Sequence, residues 1–297
     1  MHVYVSVFLL YNDYGDNMSI LFIAAVLPVF ILCYYIYNKD THKEPNYMLV
    51  RMFSKGLLAF VPILIVEILL SSIFDTDGVT SFVQIFINTF IGVALVEEFF
   101  KWWFVYKYAY NSKEFDEVYD IIVYSVFVSL GFACIENVSY VLQNGLGNAL
   151  LRALSAVPGH MYFGVMMGFF LSRAKVAKFN KNDDMSRNNM ILSLLFPVLF
   201  HTMYDALIFY CVNNENAAVF LLFVVFHIIN LIICILIIRM TSKVQYNISN
   251  KITEGVIVVK DDGSIEVNDK HDKINFCPIC GKKYDGGKYC GGCGRKF

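Results

Sequence analysis

The sequence predicts an all-α polytopic membrane protein of about seven transmembrane helices, N-terminus outside and C-terminus in the cytoplasm, followed by a small C-terminal zinc ribbon. Three observations carry this expectation. The 297 residues are 57% hydrophobic and only 16% charged, a balance outside that of an ordinary soluble domain. Seven apolar stretches, roughly 18–38, 56–74, 80–106, 117–142, 153–172, 189–211 and 216–238, approach the length of about 20 residues that crosses hydrocarbon. Four cysteines close the chain in two Cys-x-x-Cys knuckles. A net charge of −1 points away from nucleic acid as a partner and leaves the lipid bilayer as the first one.

In chain order, residues 1–17 read as a short extension; their apolar run Val3–Tyr11 is too brief to span, and Met18 offers an alternative start. Residues 18–240 form the transmembrane domain. Alternate loops place thirteen basic residues, from Lys39 to Lys243, on one side and only Arg152 on the other. Because cytoplasmic loops collect Lys and Arg, the basic side is the cytoplasm. Residues 241–275 read as a polar linker with a hairpin around Asp262-Gly263. In 276–297, Cys277, Cys280, Cys290 and Cys293 supply the four thiolates of a closed structural zinc site, and cytoplasmic placement argues against disulfides. Such a ribbon would dock a cytoplasmic partner or a substrate tail. Cys33, Cys134, Cys211 and Cys234 sit in or beside apolar segments and read as packing residues.

Ionisable groups at membrane depth are expensive and usually functional. Glu97 and Glu98 end a 19-residue uncharged run, Gly78–Val96, and Lys101 follows four and three residues later. At that spacing one lysine reaches either carboxylate on a helix and holds it ionised. About 100° separates the two glutamates, so one faces the centre of a site while the other orients a partner. The competing reading is a solvated helix end, with Trp102 and Trp103 as an interfacial belt.

Glu136 has fifteen uncharged residues on either side, with Asn137 beside it and Tyr140 on the same face. His160 follows Pro158-Gly159, and His201 lies one turn before Asp205, which can orient the imidazole. His227 and Glu67 have no charged neighbour at helical spacing and read as ordinary packed residues. Together Glu97, Glu98, Glu136, His160 and His201 are what amide hydrolysis needs: a carboxylate to activate water, and imidazoles to bind a metal or to stabilise an oxyanion and move protons. Lys101, Asn137, Tyr140 and Asp205 would support them. At 1.5 Å per residue, Glu97 lies about 8 Å and Glu136 about 20 Å above the cytoplasmic boundary, a spread that tilt, kinks or shifted helix ends must close. A transporter or sensor using the same charges as an ion or proton relay is the alternative, although no internal repeat of the transporter kind is visible.

These motifs, in this order, resemble the PrsW family of intramembrane proteases, distant relatives of the CAAX prenyl endopeptidases and bacteriocin-immunity proteases. The resemblance covers roughly 18–209. It rests on Glu97-Glu98-x-x-Lys101, Asp120-Ile-Ile-Val-Tyr leading into Gly131-Phe-x-x-x-Glu136-Asn137-x-x-Tyr140, the His160 segment and His201-x-x-Tyr204-Asp205. Ile121 and Ser125 stand where small or glycine residues are expected. The resemblance implies an endopeptidase that cuts membrane proteins, such as an anti-sigma factor in a signalling cascade. It implies Glu97 and Glu98 as catalytic, with Glu136, His160 and His201 completing the site. Two histidines and a glutamate could hold a catalytic zinc, but the related prenyl endopeptidases are described as using glutamate-activated water. Lys101 beside the carboxylates would repel a cation, which favours the metal-independent route.

Overall fold

The computed structural model describes residues 17–242, 257–259 and 265–267. The four ribbon cysteines and the extension 1–16 lie outside the described residues, as does most of the linker.

Each predicted apolar segment is helical: α1 Met18–Lys39, α2 Asn46–Leu70, α3 Phe82–Thr89, α4 Leu95–Val105, α5 Asp120–Leu154, α6 Ala156–Phe179, α7 Asp183–Asn214 and α8 Ala217–Thr241. The wider turns Phe90–Ala94 and Tyr106–Tyr110 join α3 to α4 and extend α4, so Phe82–Tyr110 is one helical stretch with a π-bulge on either side of Glu97, Glu98 and Lys101. Such bulges gather at functional sites. Two short strands in the linker, β1 Ile257–Val259 and β2 Ile265–Val267, pair antiparallel, Ile257 facing Val267.

Among the described residues, six helical stretches are long and apolar enough to cross a membrane. The fourth, Asp120–Phe179, has 60 residues, about 90 Å if straight and thus about three times the hydrocarbon thickness. It folds back on itself. A Cβ on Gly164 would meet Ser125, Val126 and Ser129, and one on Gly168 would meet Ile121 and Ile122, so α5 and α6 run antiparallel with their backbones in close approach, as small residues permit in lipid. Gly56 of α2 and Gly131 of α5 meet in the same way. This hairpin is the centre of the domain: 83% of its apolar window is buried, against 22% for α2. The other helices ring it and turn large apolar side chains outward, among them Phe22, Leu58, Ile65, Leu221 and Ile232. That is the surface a bilayer would solvate.

Helix ends differ from the sequence expectation where a charge finds a partner. The third stretch runs past the expected 106 to Tyr110, and Lys101 within it is 0% exposed and paired. α2 starts ten residues before the expected 56, with Arg51 and Lys55 lying over the Tyr108 ring. α5 passes the expected end at 142, then breaks at Gly145, whose φ of 75° and ψ of −171° belong to a region that glycine alone occupies freely.

At the end of the domain where α1 meets α2, the intervening loop is clasped to the loop before α5. Tyr124 donates a hydrogen bond to the Glu44 carboxylate, Tyr47 donates to Glu114 at 2.7 Å, and His42 meets Glu117 at 2.8 Å. Glu44 also hydrogen-bonds Asp120, and burial, with Asp120 close by, pushes the Glu44 carboxyl up to about 11. The folded clasp therefore keeps a proton that an unfolded chain releases at the ordinary glutamate value of about 4.3. Stability from this group is complete below that value and is lost progressively as pH rises toward 11. Glu44→Gln keeps the clasp's hydrogen bonds without the titration. Its melting temperature in detergent should match the wild type near pH 5 and exceed it at pH 9. Parallel melting curves for the two chains across this range would refute the shared proton.

Candidate active site

Lys101 is the hub. Its ammonium donates to Glu97 Oε2 and Glu98 Oε1, both at 2.8 Å, lies 3.2 Å from His160 Nδ1 and sits 4.2 Å above the centre of the Phe132 ring. An ammonium only donates and a carboxylate only accepts, which sets the histidine: His160 Nδ1 accepts from Lys101, and Nε2 donates to Glu136 Oε2 at 2.9 Å. His201 differs. Its Nδ1 lies 3.0 Å from Glu98 Oε1 and its Nε2 lies 3.3 Å from Asp205 Oδ2, an arrangement in which both nitrogens carry hydrogen. Phe163 stacks on the His201 ring at 4.7 Å.

Helices α4, α5, α6 and α7 thus bring Glu97, Glu98, Lys101, Glu136, His160, His201 and Asp205 into one connected network. The expected depth mismatch disappears. Counted from the true helix ends, Glu97 is thirteen residues from Tyr110 and Glu136 sixteen from Asp120, about 20 and 24 Å.

Asn137 supports from the side, donating to Ala25 O of α1 at 2.6 Å. Tyr140 lies under the Arg152 guanidinium at 4.0 Å. Trp102, which the competing reading of the sequence placed in an interfacial belt, donates to Ser193 Oγ at 2.8 Å and ties α4 to α7.

Two residues escaped the sequence reading. Arg152 donates to Glu136 Oε2 at 2.7 Å and to Asn137 Oδ1 at 2.8 Å; nothing local could show this, because only the break at Gly145 returns the chain to Glu136. Glu67 on α2 is 2% exposed, its Oε1 has no hydrogen-bond partner, and it lies within electrostatic range of Glu97, Glu136, Lys101 and His201. A glutamate in mid-span was itself the signal. His227 keeps its packing role, with Nε2 3.0 Å from Leu154 O and its ring stacked on Phe223.

A cavity of about 410 Å³ reaches this network. Glu97, Glu136, Arg152, His160 and His201 line it, and it extends to Thr76 and Asp77 in the loop after α2 and to Asn213 in the last turn of α7. Glu98, fully buried, is not on its wall.

A model of the family described as PrsW family intramembrane metalloprotease matches residues 44–233. The chain belongs to the PrsW family. It is 40% identical to Protease PrsW of Oceanobacillus iheyensis over 61% of this chain and 80% of that one. It is likewise 40% identical to Protease PrsW of Geobacillus kaustophilus, over 62% and 78%. With Protease PrsW of Bacillus subtilis the identity is 36%, over 61% and 79%. No solved structure matches the chain. This PrsW-family member is therefore a multi-pass membrane protein and an intramembrane endopeptidase, and the relay alternative falls away.

The family description makes a metal plausible, and the donors can be judged against it. Glu97, Glu98 and His201 each offer a ligand atom within 4.8 Å of the others, all three residues being buried, and Glu98 Oε2 has no hydrogen-bond partner. By type and spacing the set fits a divalent ion such as zinc. The Lys101 ammonium stands where that ion's charge would act, 2.8 Å from both carboxylates.

Proposed function

We propose that this endopeptidase cuts a transmembrane regulator by carboxylate-activated water, with Glu97 as general base. The single observation behind the assignment is that Glu97 lines the cavity while Glu98 is buried behind it against Lys101 and His201. In this reading Glu97 takes a proton from water, Glu98 holds His201, and the charged His201 stabilises the oxyanion and returns a proton to the departing amine. Glu136 and His160 hold Lys101, which keeps Glu97 ionised and turned to the cavity. A divalent ion held by Glu97, Glu98 and His201 would supply Lewis-acid polarisation and a more acidic water; Lys101 beside them favours the route without it. Full activity in the presence of a strong chelator, with no metal retained by a chain lacking 276–297, is the expected result. Loss of activity on chelation and its return with zinc would reverse the preference.

The seven-crossing topology, with the basic loops in the cytoplasm, extends the reading to position. Thr76, Asp77 and Asn213 then lie at the outer face, so the cavity admits substrate from that side and the cut falls toward the outer end of a transmembrane segment. An anti-sigma factor or similar signalling regulator is the substrate class suggested by the resemblance. The four C-terminal cysteines would hold structural zinc and give a cytoplasmic partner its docking point. The deciding experiment compares membrane-protein fragments in cells carrying the wild type or Glu97→Gln/Glu98→Gln at equal levels. Fragments ending near a transmembrane segment only with the wild type support the reading and name the substrate; identical fragment sets under several stresses would refute it.

A further inference from the structure

The hydrogen-bond network does not stop at Glu136. On a straight helix Arg152 would lie about 24 Å from it. The break at Gly145 instead turns the last part of α5 back, and the guanidinium closes on one carboxylate oxygen, Glu136 Oε2, which also takes the hydrogen of His160 Nε2. The guanidinium is fixed in turn: Nε donates to Asn137 Oδ1, the Tyr140 ring lies beneath it, and Asn137 is tied to Ala25 O of α1. A planar fork held at three points is a rigid support, which an ammonium on a flexible stem is not.

We propose that Arg152 is a positioning residue for the hydrolysis, acting through Glu136 on His160. The inference rests on the protease mechanism above. Arg152 sets where Oε2 stands; Oε2 sets the His160 ring with its hydrogen on Nε2; the Nδ1 lone pair then directs the Lys101 ammonium, and with it Glu97. Arg152, which lines the cavity beside Glu136, thus acts on the general base through four successive contacts, and a misplacement of about 1 Å at the reacting atoms can lower a rate about 100-fold.

The test is kinetic and thermal, on the full chain reconstituted in lipid vesicles with the membrane protein identified by the fragment comparison. Arg152→Gln should lower kcat about 100-fold with KM within about threefold, and Arg152→Lys should recover part of kcat. Because Arg152→Gln leaves Glu136 without its cation and can weaken the fold, the double variant Glu136→Gln/Arg152→Gln separates the two roles. It should recover the wild-type melting temperature but not kcat. Recovery of kcat in the double variant would make the pair merely structural and overturn the proposal, as would an Arg152→Gln effect confined to KM. A wild-type chain that releases no fragments would instead overturn the protease mechanism itself.

Discussion

Glu97→Gln should lower turnover by about 10²–10⁴-fold, the range over which a positioned general base contributes, while leaving the fold in place. The amide keeps the shape of the carboxyl and can still accept from Lys101, whose charge remains compensated by Glu98 at 2.8 Å. What it removes is the only change that matters at the cavity wall, the capacity to take a proton from water. Glu98→Gln should behave differently. Glu98 is buried and holds both Lys101 and His201, so its loss should lower turnover and also the melting temperature. Turnover and thermal unfolding of both variants in the same vesicles would check this. Near wild-type turnover in a folded Glu97→Gln chain would remove Glu97 as the base and return that role to Glu98.

The largest stability effect should come from Lys101→Met. Methionine approximates the apolar stem of lysine, but its introduction leaves Glu97 and Glu98 adjacent, buried and without the ammonium they share. Removing one partner of a buried ion pair typically destabilises by about 3–5 kcal/mol, because the surviving charge stays desolvated. The expected outcome is poor accumulation and a much lower melting temperature, with Glu97→Gln/Glu98→Gln/Lys101→Met recovering most of the loss because no charge is then stranded. Lys101→Arg should not substitute well, since the ammonium is 0% exposed and closely contacted by Glu97, Glu98, His160 and Phe132. A Lys101→Met chain that melts like the wild type would show that the ammonium is not the support its contacts indicate.

Much of this was legible in the residues alone, for a physical reason. A bilayer penalises unpaired charge so strongly that a glutamate, lysine or histidine inside an apolar run needs a partner, and the helical period names the near ones. Lys101 with Glu97 and Glu98, and His201 with Asp205, follow from spacing of three and four residues, and all are in contact. The apolar segments and the candidates Glu136 and His160 were equally visible. Contacts between helices were not. That His160 bridges Glu136 to Lys101, that Glu97 rather than Glu98 meets the cavity, and that Arg152 returns to Glu136 all depend on helix rotation and on the break at Gly145. Helix ends moved for a related reason: Arg51 and Lys55, outside the expected second segment, are helical because they lie over the Tyr108 ring of another helical stretch. Glu67 had no neighbour along its own helix, and only packing brought it beside Glu97. Which residues must be satisfied inside the membrane, and which near neighbours could satisfy them, follows from spacing along the chain; which helix supplies each remaining partner follows from packing across helices, where that spacing carries no information.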